Sequence, residues 1–195
     1  MDTIQLKKII EDSILVKKTI MEDNSFLDRI DKSVEAMVKT YKNNGKVLFC
    51  GNGGSAADAQ HLAAELSGRF YFDREPLDAE ALHVNTSYLT AVANDYSYDV
   101  VFERMIKAVG KKGDVLVSIS TSGNSVNIYK AMQEAKAKGM INIALTGETG
   151  GKIKELADIL LNVPSKVTPR IQESHIMIGH IICEQVEKQL FAKNE

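Results

Sequence analysis

Apolar positions along the chain change their spacing at about residue 45. Over residues 3–21 they fall at Ile4, Ile9, Ile14 and Leu15 among charged neighbours. Over 25–43, Phe26, Leu27, Ile30, Val34, Met37, Val38 and Tyr41 recur three and four apart. That is the spacing of one helix face, so two helices are predicted, the second closed by Asn43-Asn44-Gly45, residues that suit a helix C-cap. Beyond Gly45 come short apolar runs at 46–50 (KVLFC), 81–84 (ALHV), 114–120 (DVLVSIS) and 141–147 (INIALTG), with a fifth at 158–164 (DILLNVP). Helical patterns or turns separate them, and each run is nearly continuous rather than alternating. Strands covered on both faces read that way, so the fold class is α/β: a five-stranded parallel sheet in a three-layer sandwich. A long helical pattern at 169–191 ends the chain.

No repeat or linker interrupts it, which makes 1–195 one domain, with a helical segment at 1–44 and a core at 45–195. The two N-terminal helices precede the first strand. With no room for them on the sheet, their apolar stripes are expected to meet a second copy of the chain.

Composition narrows the function classes. The 195 residues are 44% hydrophobic and 26% charged, long enough for a well-buried core, and the net charge is −2. Acidic and basic residues are interspersed, so neither nucleic acid nor an anionic membrane is expected as a partner. The N-terminus lacks the unbroken apolar centre of a signal peptide, and no segment has the ~20 apolar residues of a membrane span. Cys50 and Cys183 lie far apart in apolar runs and fit no metal spacing. They read as buried thiols in a reducing compartment, so a cytoplasmic location is expected.

The stretch VLFCGNGGSAADAQHLAAEL, residues 47–66, places Asn52, Gly53, Gly54 and Ser55 between a strand and a helix. Such a turn turns backbone N–H groups and a helix N-terminus toward the carboxyl edge of a sheet, where anions are attracted. It matches neither a dinucleotide fingerprint nor a Walker A loop, since no Lys-Ser/Thr follows. Many α/β turns use glycine only for geometry, so the loop alone is weak. A second loop, SISTSGNSVN at 118–127, also follows a strand and opens a helix, offering Ser118, Ser120, Thr121, Ser122 and Ser125 around Gly123. Hydroxyls and free N–H groups without Lys or Arg make a neutral cradle for a phosphate monoester. The plain alternative for an isolated loop is a serine-rich turn with Ser125 as N-cap. Two such units in one small domain favour sugar-phosphate binding.

The segments CGNGGSAADAQHLAAELSGR, AVANDY, GDVLVSISTSGNSVN, ALTGETGG and RIQESHIMIGH together resemble sugar isomerase (SIS) domains, and within them the phosphoheptose isomerases. The serine loop is common to SIS domains in general, whereas His61, Glu65 and His180 around it are more discriminating. The resemblance implies a flavodoxin-like fold and conversion of sedoheptulose 7-phosphate to D-glycero-D-manno-heptose 7-phosphate, the first step toward nucleotide-activated heptoses of bacterial surface polysaccharides. It further implies Glu65 as base and His180 as acid. Asn52, Gly53, Gly54, Ser55, Glu65, Asn94, Asp95, Ser120, Thr121, Ser122, Ser125 and Gln172 would bind the sugar phosphate, and zinc would be held by His61, Glu65, Gln172 and His180. A homotetramer with sites at subunit interfaces is implied as well.

Residue chemistry bears on each of these roles. His61 and Glu65 are four apart and share one helix face. Aldose–ketose isomerisation needs a base to move a proton between C1 and C2 and an acid or metal at the carbonyl oxygen. A Gln amide is a poor zinc ligand, so the ion is expected to be loosely held. Gln172 and His180 are eight apart, roughly 12 Å along a helix and about 80° around it, so one ion must lie between them or two subunits must contribute. His175 is an alternative ligand or a packing histidine. Thr168-Pro169 stands where the family pattern carries an acidic residue, and Pro169 suits a first helical position. The rival from another class is a non-enzymatic SIS protein that binds the replication initiator. A second rival is another SIS chemistry, such as arabinose 5-phosphate isomerisation. Glu65 together with His180 favours the enzyme.

Overall fold

The computed structural model of the chain describes residues 3–192. Two helices come first, α1 (Thr3–Glu22) and α2 (Asn24–Lys42). Asp23 separates them and caps α2, its side chain accepting from Phe26 N at 3.1 Å. The turn that closes α2 puts its left-handed residue at Asn44 (φ 56°).

Five strands follow: β1 (Val47–Gly51), β2 (Ala79–Ala81), β3 (Val115–Ser120), β4 (Ile141–Thr146) and β5 (Ile159–Asn162). They pair in the order β2-β1-β3-β4-β5, all parallel. Helices α3 (Gly54–Ser67), α4 (Thr86–Asp95), α5 (Val101–Val109), α6 (Val126–Ala137) and α7 (Thr168–Phe191) complete the chain, with short 3₁₀ turns at Tyr98–Val100 and Lys152–Leu156.

Strand residues alternate between two cores, which is why the runs read as continuously apolar. Val47, Phe49, Val115, Val117, Ile119, Ile143 and Leu145 pack with α2, α3 and α7. Leu48, Cys50, Leu116 and Ala144 pack with α4, α5 and α6. The three-layer sandwich follows from that alternation.

Two sequence expectations need correction. The second strand, expected at 81–84, lies at Ala79–Ala81. Its register pairs Val47 with Ala79 and Phe49 with Ala81, and the polar residue Glu80 is tolerated because this is an edge strand. Leu82 N still donates to Phe49 O, but Val84 N then turns back to Ala81 O and Asn85 caps α4. The other correction concerns α2, which has room on the sheet after all. Phe26, Ile30, Val34, Met37 and Val38 are buried within the protomer. In α1, by contrast, only Ile20 is buried, and Ile4, Ile9, Ile10, Ile14, Leu15 and Met21 are exposed. Most of the apolar side chains of α7 are also internal, including Ile171, Ile178, Ile182 and Val186, whereas Ile181 stays exposed.

The chain winds from β1 through α3 to one edge of the sheet and from β3 through α6 toward the other. Between the carboxyl ends of β1 and β3 this reversal leaves a crevice, the place where open parallel sheets take their ligands. Among the described residues no helix is long and apolar enough to cross a membrane.

Candidate functional site

Both loops that the sequence singles out reach the β1/β3 crevice. After β1, Gly53 takes φ 56° at the N-cap of α3, and no side chain caps that helix. A left-handed residue without a Cβ lets an anion approach this backbone closely, although Ser55 N and Ala56 N already donate to Asn52 O and Gly53 O. Asn52, in the same turn, is held by its amide. Its Nδ2 donates to Asn127 Oδ1 at 2.9 Å, and its Oδ1 accepts from Asn127 Nδ2 at 2.9 Å and from the Tyr98 hydroxyl at 3.1 Å. Ser55 is buried in the first turn of α3.

The loop after β3 carries its hydroxyls toward the N-terminus of α6. Ser120 Oγ lies 3.1 Å from Ser125 Oγ. Ser125 does occupy the N-cap position, but its side chain makes no capping bond, so the plain alternative of a serine cap is not what the structure holds. Asn124 N donates to Ser122 Oγ at 3.2 Å. Gly123, at φ 66°, packs on the loop after β4 so closely that an added Cβ would stand 2.2 Å from Gly150 O. The glycine pair of ALTGETGG therefore braces the serine loop. Thr121 and Ser122 line a cleft of about 220 Å3 with Gly147, Glu148, Ser165, Lys166 and other residues.

The reacting candidates converge from α3 and α7 within one protomer. His61 Nε2 lies 2.9 Å from His180 Nε2 and 3.2 Å from Glu65 Oε1. The metal-ligating atoms of His61, Glu65 and His180 all lie within 4.8 Å of one another. Ligands of a tetrahedral zinc at ~2.0–2.1 Å would be separated by about 3.4 Å, a spacing that the two His61 distances approach, so the donor set fits such an ion. Asp58, one turn before His61, has a buried carboxylate oxygen without a partner; burial pushes its carboxyl up, with His61 partly opposing.

Gln172 lies against the glycine loop of its own chain, where a Cβ on Gly54 would stand 2.4 Å from its Nε2. His175 is fully buried, bonded through Nε2 to Thr146 O at 3.0 Å, and is a packing residue rather than a ligand. Helix α7 begins at Thr168, which makes Pro169 its second residue rather than its first. Asn94 and Asp95 end α4 exposed and bonded to each other at 2.9 Å. Three residues after Asp95, Tyr98 reaches Asn52.

Four residues that sequence reasoning did not single out support this arrangement. Besides Asn127 and Tyr98, Arg74 and Glu187 form a buried ion pair at 2.8 Å. Arg74 also donates to the carbonyls of Glu65, Leu66 and Gly68, holding the C-terminal end of α3. Burial would raise the Glu187 carboxyl, but the N–H groups of Phe70, Tyr71 and Phe72 and the Arg74 guanidinium outweigh it and hold it below the ordinary carboxylate value. Phe70, placed by that anchor, has its ring centroid 5.9 Å from that of His180. No local pattern marks a pair 113 residues apart.

A family model described as "SIS domain" matches residues 12–147. A protein of Clostridium acetobutylicum named phosphoheptose isomerase is 53% identical over 184 residues, 94% of each chain. A solved phosphoheptose isomerase from Neisseria gonorrhoeae superposes with TM-score 0.89 at 44% identity, covering 94% of this chain and 97% of that one. Another from Francisella tularensis gives TM-score 0.91 at 38% identity, covering 96% and 100%.

Proposed function

The chain belongs to the SIS-domain family and, within it, to the phosphoheptose isomerases, and from that premise we propose how its residues interconvert sedoheptulose 7-phosphate and D-glycero-D-manno-heptose 7-phosphate. The phosphate is held by Ser120, Thr121, Ser122 and Ser125 with the free N–H groups of their loop, while Asn52, Gly53, Gly54, Ser55, Asn94, Asp95 and Gln172 line the sugar. The Glu65 carboxylate takes a proton from C1 of the ketose, and His180 gives one to the carbonyl oxygen at C2, producing an enediol. Glu65 then returns its proton to C2, and the C1 hydroxyl passes its proton to His180 as the aldehyde forms, which restores both groups. Two hydrogens have moved and no oxidant is needed.

What carries this reading is the convergence of Glu65, His61 and His180 from α3 and α7, in a chain whose glycine and serine loops open helices without a side-chain bond from the N-cap residue. A phosphate seated at the two loops would turn substrate binding into alignment of C1 and C2 with the base and acid, and a neighbouring subunit can supply the groups that complete the site. His61, Glu65 and His180, with Gln172 as a weaker fourth, are the residues that would hold zinc, which when bound would supply Lewis-acid polarisation of the carbonyl in place of the His180 proton; Glu65 acts as base only when free of the ion, so the ion would be loosely held. A homotetramer completes the reading, its contacts built on the exposed apolar face of α1. The product would enter heptose biosynthesis.

Purified protein incubated with sedoheptulose 7-phosphate should accumulate the aldose to equilibrium, as followed by a coupled or chromatographic assay. Absence of aldose product from folded protein supplied with zinc would overturn the proposal.

A further inference from the structure

Asn52 lines the sugar in the function proposed above, and what fixes its amide has no assigned role. Hydrogen-bond chemistry sets that orientation from the backbone outward. Ile128 N can only donate, and it does so to the side chain of Asn127 at 2.9 Å, so the acceptor there is Asn127 Oδ1. The atom of Asn52 facing that oxygen must therefore be its Nδ2, at 2.9 Å. It follows that Asn52 Oδ1 faces Asn127 Nδ2 at 2.9 Å and the Tyr98 hydroxyl at 3.1 Å.

Both acceptor sites of Asn52 are then taken and one of its two N–H donors is used, leaving one donor for a ligand oxygen. Asn127 is buried in the first turn of α6, the helix that the serine loop opens, so the same contact ties the glycine loop to the phosphate loop.

We propose that Asn127 and Tyr98 are positioning residues: they hold Asn52 as a donor to the sugar phosphate and lock the two anion-binding loops in register. Tyr98 acts through Asn52, not on the substrate. The inference rests on the reading that Asn52 contacts the sugar.

A double-mutant cycle on the full chain tests both, with sedoheptulose 7-phosphate as substrate. Tyr98→Phe removes only a half-exposed hydroxyl and leaves the fold in place, which a melting curve verifies. Loss of one hydrogen bond is worth on the order of fivefold, expected as a rise in KM with kcat little changed. In an Asn52→Ala background the same change should have no effect, because the group it orients is gone. Asn127→Asp should raise KM further, since a carboxylate now faces Asn52 Oδ1 beside the phosphate loop.

Wild-type KM in Asn52→Ala would overturn the reading of Asn52 itself. An impaired Asn52→Ala with a silent Tyr98→Phe, or with Tyr98→Phe costing the same in both backgrounds, would overturn only the positioning role.

Discussion

Glu65 has its backbone fixed from behind: Arg74 Nη2 donates to its carbonyl oxygen at 3.1 Å while the carboxylate meets His61 at 3.2 Å. Replacing Glu65 by Gln preserves volume and polarity and removes the proton acceptor. We expect kcat to fall by about 10²–10⁴, with phosphate affinity and melting temperature nearly unchanged. Near-normal turnover of Glu65→Gln in a steady-state assay would exclude it as base.

His175 makes the opposite kind of prediction, one about stability. Burial pushes its imidazole down to about 4, despite its bond to Thr146. The folded state thus disfavours the proton that the unfolded chain binds below pH ~6.5. Stability is complete above that value and is lost as pH falls from about 6.5 toward 4. The expected loss from this group is about 2 kcal/mol between about pH 7.5 and pH 5. Glu187, with its carboxyl held low, acts in the same direction, so the comparison must be made against a variant. Urea titrations should show a steeper pH dependence in wild type than in His175→Gln; equal slopes would count against the assignment.

At the scale of elements, the site depends on loops bracing one another. The serine loop is supported by Gly123 lying on Gly150 and Gly151, and by Ile153 N donating to Gly123 O at 3.0 Å. Gly123→Ala combines a left-handed φ with a Cβ that has no space, so the loop must move off the β4 loop. KM should rise roughly tenfold or more while the sheet stays folded. Gly113→Ala is the matched control. Its φ is also positive, at 88°, but a Cβ there meets nothing, so it should cost about 1 kcal/mol of stability and leave the kinetics alone. Kinetics and melting curves for the pair check this, and an unchanged KM in Gly123→Ala would show that the brace is dispensable.

For the whole molecule, the division between α1 and α2 decides what an interface experiment measures. Val34 is 1% exposed and belongs to the core, so Val34→Glu should unfold the protomer and says nothing about assembly. Ile14 and Leu15 are 58% and 62% exposed, and Ile14 lines an apolar groove of about 530 Å3 with Met21, Leu27, Met177 and Ile181. A patch of that kind marks an association surface. Helix α1 is also tied to α7 next to Gln172, through Ser13 to Glu173 at 2.7 Å and Arg170 to Ile9 O at 2.6 Å. If the proposed tetramer is built on this face, Ile14→Glu and Leu15→Glu should each yield a monomer without activity while circular dichroism reports a folded protomer. Sedimentation and activity measured together would decide it; a fully active monomer of either variant would refute the proposed tetramer.

The sequence by itself determined the parallel sheet and four of its five strands, the two strand-loop-helix units and the pairing of His61 with Glu65. Each of these follows from local periodicity: continuous apolar runs for strands covered twice, glycine or serine at the turn, and a spacing of four on one helix. Only the tertiary structure decided the rest. An edge strand containing Glu80 has no apolar run to announce it, because half its surroundings are solvent. That α2 is core and α1 is not depends on which stripe the sheet has room to cover, which periodicity does not encode. The reach from Gln172 to His180 also changes character. Gln172 lies against Gly54 in the glycine loop, while His180 meets His61 across α3 and α7, 119 residues apart. Asn127, Tyr98, Arg74 and Glu187 act through hydrogen bonds between distant elements. Such bonds have geometry but no sequence period, so they exist only once the chain has folded.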